Sequence, residues 1–252
     1  MFCNQCEQTA RGTGCTSVGV CGKKEDVAAL QDLLINACRG LGAVALEADR
    51  QGVDTTEAAR FATAALFATL TNVDFDADAI AARVDEAVRL RDALRVSMDA
   101  ESTGAFVDLT PAPGVEERVA QGMALGSPWD TGRDADVQAL QQTTLYGLKG
   151  LAAYAYHARV LGHEDREVYA FVFKTLAALA DRSLGLDDWV ALALECGKVN
   201  LRAMELLDAG NTGRYGHPVP TEVPLGHRRG KAILISGHDL RDLQLLLEQT
   251  AG

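Results

Sequence analysis

The sequence lacks an excess of positive charge, a leader-like start and an apolar run of membrane-spanning length. Its 24 lysines and arginines face 35 aspartates and glutamates, a formal net charge of -11, and that sign repels phosphate backbones and anionic bilayer surfaces. Nucleic acid and membrane are therefore not expected partners. Met1 is followed at once by a cysteine-bearing segment, with no basic n-region, apolar h-region or small-residue cleavage site. The chain is expected to be cytoplasmic and soluble. There is no glycine pattern that could cradle a phosphate and no nucleophile motif in a fitting context. Asp74, Asp76 and Asp78 lack the glycine and closing glutamate of a calcium loop, so they read as an exposed turn and helix cap.

The head of the chain is poor in apolar residues. CNQCEQTARGTGCTSVGVCGKK, residues 3–24, carries four of the six cysteines and almost nothing that could form a core. A chain of 252 residues with 48% hydrophobic content can be stable as one large domain or two modest ones without disulfide staples. In a reducing compartment, clustered cysteines point to metal binding or redox work. Cys3, Cys6, Cys15 and Cys21 follow the pattern C-x2-C-x8-C-x5-C. Zinc ribbons offer two tight pairs, whereas each cysteine of an iron-sulfur site meets a different iron and uneven loops are accepted. The spacing favours an iron-sulfur cluster, with zinc, disulfides or no bound group as alternatives. Gly12, Gly14, Gly19 and Gly22 would let amide N–H groups face the sulfurs, and Lys23 and Lys24 add positive charge beside them.

Helical periodicity dominates the remainder of the chain. Val27, Leu30, Leu34, Cys38, Leu41, Val44 and Ala48 form one stripe of a helix that starts at Glu25 and Asp26 and stops before Gly52. Further helices are expected over 57–70 and 77–99, then a glycine- and proline-rich connector with a short helix near 115–123, then helices over 164–180 and 187–208. LQDLLINACRGLGAVALEAD from Leu30 lies without a gap over LQQTTLYGLKGLAAYAYHAR from Leu140, an offset of 110 residues. The overlay pairs Arg39 with Lys149, Phe61 with Phe171 and Leu66 with Leu176, the sign of a duplicated helical bundle. Near the end, Ala232 to Ser236 reads as a buried strand between Gly230 and Gly237, with a helix from Asp239. A single strand and helix cannot cover both faces of a parallel sheet, so the chain reads as part of something longer.

The expected fold class is mainly α. Two stacked three-helix bundles would form an N-terminal helical domain, followed by the first strand and helix of a Rossmann-like α/β domain. The expected order is a cluster-binding segment at 1–24, a first bundle at 25–99, a connector at 100–135, a second bundle at 136–210, a linker at 211–229 and the start of the α/β domain at 230–252.

MFCNQCEQTA, the GC at 14–15, VCGK at 20–23, LQDLL at 30–34, LFATLTNVDFD at 66–76, GLKGLAAYAYHARVLG at 147–162 and ILISGHDLRDL at 233–243 together resemble the hybrid cluster protein, or prismane, family of hydroxylamine reductases. The resemblance runs from Met1 to Gly252. It implies a helical domain of two three-helix bundles ahead of two Rossmann-like domains, an architecture shared with the carbon monoxide dehydrogenases. It implies that Cys3, Cys6, Cys15 and Cys21 hold a [4Fe-4S] cluster, the tighter of two spacings in the family. It implies that His238 is the first ligand of a second centre, a hybrid iron-sulfur-oxygen cluster where substrate reacts. The family's remaining ligands to that centre, two glutamates and four cysteines, lie beyond Gly252, and Cys38 and Cys196 match none of them. The implied substrate is hydroxylamine or a related nitrogen oxide, and the implied partner is a redox electron donor. Readings of another class are a non-enzymatic helical module with a structural zinc site made by the four cysteines and a stand-alone iron-sulfur electron carrier. Cys38 and Cys196 read as small buried hydrophobes, His157 as a helix-end residue, and His163, His217 and His227 as solvated.

Overall fold

The computed structural model describes residues 1–7, 13–98, 106–129 and 131–251. Gly12, the end of the helix expected to reach 99, and 100–105 of the expected connector lie outside the described residues. The helices are α1 (Glu25–Arg50), α2 (Thr56–Ala68), α3 (Ala77–Val96), α4 (Val115–Leu125), α5 (Ala135–Val160), α6 (Arg166–Ala180), α7 (Leu186–Tyr215) and α8 (Leu240–Gln249). The protein is mainly helical, as the periodicity implies. Asp76 caps α3 by accepting from the Ala79 amide, which is the role expected of an acid in that exposed turn.

α1 is more central than its stripe suggests. The seven stripe residues are buried, but Gln31, Asn36 and Arg39 on its other faces are buried too, because α2, α3, α4 and α6 all pack against it. By length and composition α1 could cross a bilayer, contrary to the sequence expectation that no segment could. Yet 89% of its apolar window is buried inside the fold, the setting of a core helix.

The duplication is visible in the helices. A shift of 110 residues carries Glu25–Arg50 onto Ala135–Val160, helices of 26 residues each, and brings the first residue of α2, Thr56, onto the first of α6, Arg166. The halves interlock: α1 packs mainly on α3 and α6, and α5 mainly on α7 and α2. Buried residues of both halves, from Leu30 and Leu66 to Phe171 and Trp189, make one continuous core. Gly42 lets α6 approach α1, since a Cβ there would lie 2.4 Å from the Cβ of Leu176.

Two expectations are corrected. The helix expected to end near Asp208 continues to Tyr215 through Gly210 and Gly213. Gly210 packs where a Cβ would be 2.9 Å from that of Leu161, so tertiary contact overrides the low helix propensity of glycine. The Rossmann-like strand at 232–236 is absent: no strand occurs among the described residues, and Ile233, Leu234 and Ile235 are exposed. A strand exists only by hydrogen bonding to a neighbour, and no neighbouring strand is present among the described residues. The helix expected after Asp239 is α8.

These contacts fix the sign of two glycine substitutions. Gly42→Ala should destabilise by about 1–3 kcal/mol through overpacking against Leu176. Gly197→Ala, on an exposed face of α7 with no atom within 4 Å of the added carbon, should stabilise by about 0.5–1 kcal/mol. Urea midpoints at unchanged m-value would read both.

Candidate metal centre

The cysteine segment has too little apolar surface to pack, and polar side chains tie it to the helices. Asn4 donates to Gln142 at 3.0 Å and accepts from the Tyr146 hydroxyl, which fixes the Cys3–Cys6 end on α5. Gln5 accepts from the Thr71 amide at 3.3 Å, just past the C-terminus of α2, where Thr71 has φ 32. At the far end Lys23 turns inward, 1% exposed, and its Nζ donates to Gln31 of α1 at 2.7 Å. Within the segment, Cys15 donates to the Cys3 carbonyl at 2.7 Å and Phe2 to the Cys15 carbonyl at 2.9 Å, an isolated antiparallel bridge that sets Cys3 opposite Cys15.

The expected roles of the glycines and lysines need correction. The Gly19 and Gly22 amides donate to the carbonyls of Lys23 and Gly19, so those N–H groups serve the turn and not a sulfur. Gly14 and Gly22 adopt φ of 86 and 91, values that favour glycine. Lys24 is exposed, whereas Lys23 supplies its charge from beneath the segment.

All six cysteines are thiols, none bridged in a disulfide. Cys15 is buried, Cys3 and Cys6 are half-buried and Cys21 is exposed. Among the described residues, no three His, Cys, Asp or Glu side chains converge as a metal-binding group. The donor set nevertheless fits an iron-sulfur group chemically: four thiols on one anchored segment, two of them in register across a backbone bridge, with buried cations behind them to offset thiolate charge.

The second of those cations was not legible in the segment. Lys149 of α5 is 1% exposed, and its Nζ donates to the Thr69 carbonyl at 3.2 Å. A cavity of about 290 Å³ lies beside it, walled by Cys3, Asn4, Asp32, Trp129, Tyr146 and Lys149 among others. Burial raises the pKa of Asp32, and the Lys149 and Lys23 ammonium groups oppose that rise. Burial lowers the pKa of Lys149, opposed by the charges of Asp32 and Cys3. Sequence reading missed both because Asp32 and Lys149 occupy helices whose stripes alone give no hint that they meet.

His238 sits in a different place. It precedes α8 instead of following a strand, its side chain is 89% exposed, and its Nδ1 lies 3.3 Å from Asp239. His157 reaches the same carboxylate at 3.5 Å, so it is a neighbour of His238 and not merely a helix-end residue. Both line a cavity of about 750 Å³ with Phe67, Tyr156 and Asn211. α5 joins the two places, since Tyr146 and His157 are separated by roughly 16 Å of helix axis. Cys38 and Cys196 belong to neither place; both are buried in the core, as expected.

A model of the Prismane/CO dehydrogenase family matches residues 1–252. The chain is 53% identical to a hydroxylamine reductase of Methanocella arvoryzae, with 100% of the chain and 48% of that protein covered. It is 50% identical to one of Syntrophobacter fumaroxidans and 51% identical to one of Solidesulfovibrio magneticus, in each case over 100% of the chain and 47% of the relative. The chain spans about half the length of the curated relatives it matches.

The Cys38 thiol offers a pH test independent of any metal. Burial pushes its pKa up to about 12 from 9.0. The folded form therefore keeps a proton that the unfolded form loses, and stability present below pH 9.0 is lost as pH rises toward 12. Cys38→Ala should flatten the alkaline decline by about 1.4 kcal/mol per pH unit, read from urea titrations between those limits.

Proposed function

The chain belongs to the Prismane/CO dehydrogenase family, and from that premise we propose that it is the N-terminal part of a hydroxylamine reductase, an oxidoreductase that converts hydroxylamine to ammonia and water with two electrons and two protons. The observation that carries this reading is identity of about half over the whole chain to relatives bearing that name. Cys3, Cys6, Cys15 and Cys21 would hold a [4Fe-4S] group. When bound, such a group supplies reversible one-electron transfer.

The protein's own part at that site is to anchor the thiol segment through Asn4, Gln5 and Lys23. Lys149 brings a buried amino group to the cavity that Cys3 lines, its pKa lowered by burial. His238 would be an iron ligand of the second, hybrid iron-sulfur-oxygen centre in the longer protein, and its exposed ring on the wall of the larger cavity leaves it accessible for that role. The helical halves are read as two three-helix bundles that carry the first site on α1, α2 and α5 and offer α8 toward the second. The small-molecule substrate and the electron donor belong to the longer protein. A nitrogen oxide other than hydroxylamine is compatible with the same residues.

Anaerobic preparation of this chain should yield a brown protein with iron and acid-labile sulfide in equal amounts. Cys3→Ser, Cys6→Ser, Cys15→Ser and Cys21→Ser should each remove most of the chromophore, while Cys38→Ser and Cys196→Ser should retain it. Zinc without sulfide would overturn the redox reading in favour of a structural site. The polypeptide extended to the length of the relatives should consume hydroxylamine and release ammonia in proportion.

A further inference from the structure

We propose that Asp32 and Lys149 set the reduction potential of the group held by the four cysteines, Asp32 lowering it with a negative charge and Lys149 raising it with a positive one. The inference rests on the iron-sulfur reading above and goes beyond it by assigning two residues that lie on helices far from the cysteine pattern.

The geometry carries it. Asp32 of α1 and Lys149 of α5 line one cavity with Cys3. The other charged or titratable groups there are the Met1 α-amino group, Glu25 and Tyr146, with Lys23 acting on both members of the pair from beneath the segment. In a site walled by protein, a unit charge acts with a low effective dielectric and little screening.

Asp32 acts through charge on the buried Lys149 and Lys23 ammonium groups. Lys149 has its structural partner in the Thr69 carbonyl. The counterpart of Lys149 in the other half, Arg39, makes the matching contact with the Leu179 carbonyl, and the position equivalent to Asp32 there is the neutral Gln142. Gln142 instead bonds Asn4 of the cysteine segment, whereas the Asp32 carboxylate stands on the wall of the cavity that Cys3 lines. Reduction at the four thiolates adds one electron from an external one-electron donor, such as a reduced viologen. No bond to the protein forms or breaks, and the added negative charge is disfavoured by Asp32 and favoured by Lys149.

The test is a mediated redox titration of the anaerobically prepared chain, followed by electron paramagnetic resonance near neutral pH, with parallel sulfide analysis and circular dichroism. Asp32→Asn should favour the reduced form about tenfold, a positive shift of about 59 mV for a one-electron couple. Lys149→Gln should shift the potential the opposite way by a similar factor, and Lys149→Arg, which copies Arg39 of the other half, should stay near the parent value. Should Lys149→Gln fail to fold, Asp32→Asn decides alone. An unchanged potential in Asp32→Asn, or equal-signed shifts in the two charge-removing variants, overturns the inference while the iron-sulfur reading stands. A parent chain without sulfide overturns that reading first, and the two failures are thereby distinguished.

Discussion

Two buried cations, each closing the end of a helix in the opposite half, hold this fold in its interlocked form. Lys149 of α5 donates to the Thr69 carbonyl past the end of α2, and Arg39 of α1 donates to the Leu179 carbonyl in the last turn of α6. The donors are 110 residues apart, as are the acceptors. The last carbonyls of a helix have no partner within it and carry the negative end of its dipole, so a cation there is favoured. Removing an ammonium or guanidinium from water costs several kcal/mol. Each cation is therefore satisfied only where the partner helix ends, and that requirement sets the register of one half on the other, which apolar contact, having no direction, does not.

The halves share this device but finish it differently. Over Arg39 lies the ring of Phe106, 3.7 Å away, and the backbone there comes so near Gly40 that a Cβ would sit 2.2 Å from the Phe106 carbonyl oxygen. Val107 and Leu109 are buried beside it. That side is sealed. Gly150, the counterpart of Gly40, has nothing within 4 Å of an added Cβ, and Lys149 looks onto a cavity shared with Asp32 and Cys3. One cation is thus covered by an aromatic ring and the other borders a cavity that Cys3 lines.

Much of this was legible in the chain, and the illegible part has a common cause. The helices were legible because apolar residues recur at helical spacing, and the duplication because the overlay needs no gap. The gathering of four cysteines on one segment was legible because their spacing is local. The burial of Lys149 was not, since its neighbours on α5 are glycines, alanines and leucines, and only the arrival of α2 gives the ammonium a partner. Lys23 was read with Lys24 as positive charge beside the sulfurs, and its burial, which depends on Gln31 of α1, was not legible. The strand expected at 232–236 failed for the converse reason. Its composition suits a buried sheet, but composition cannot supply the neighbouring strand that pairing demands.

The same contrast between local and distant determinants explains how a segment almost without a core is held at a defined place. Backbone pairing aligns Cys3 with Cys15, which depends on residues near each other in sequence. Asn4, Gln5 and Lys23 then fasten three points of the segment to three different helices or their ends, α5, the residues after α2, and α1. Each hook is one or two hydrogen bonds worth about 1–3 kcal/mol net, too little alone to order some twenty residues against their conformational entropy. Together they fix where the described ends of the segment lie, Asn4 and Gln5 at one and Lys23 at the other. Under the proposed function the remaining ordering would come from metal-thiolate bonds, which supply folding free energy as part of binding.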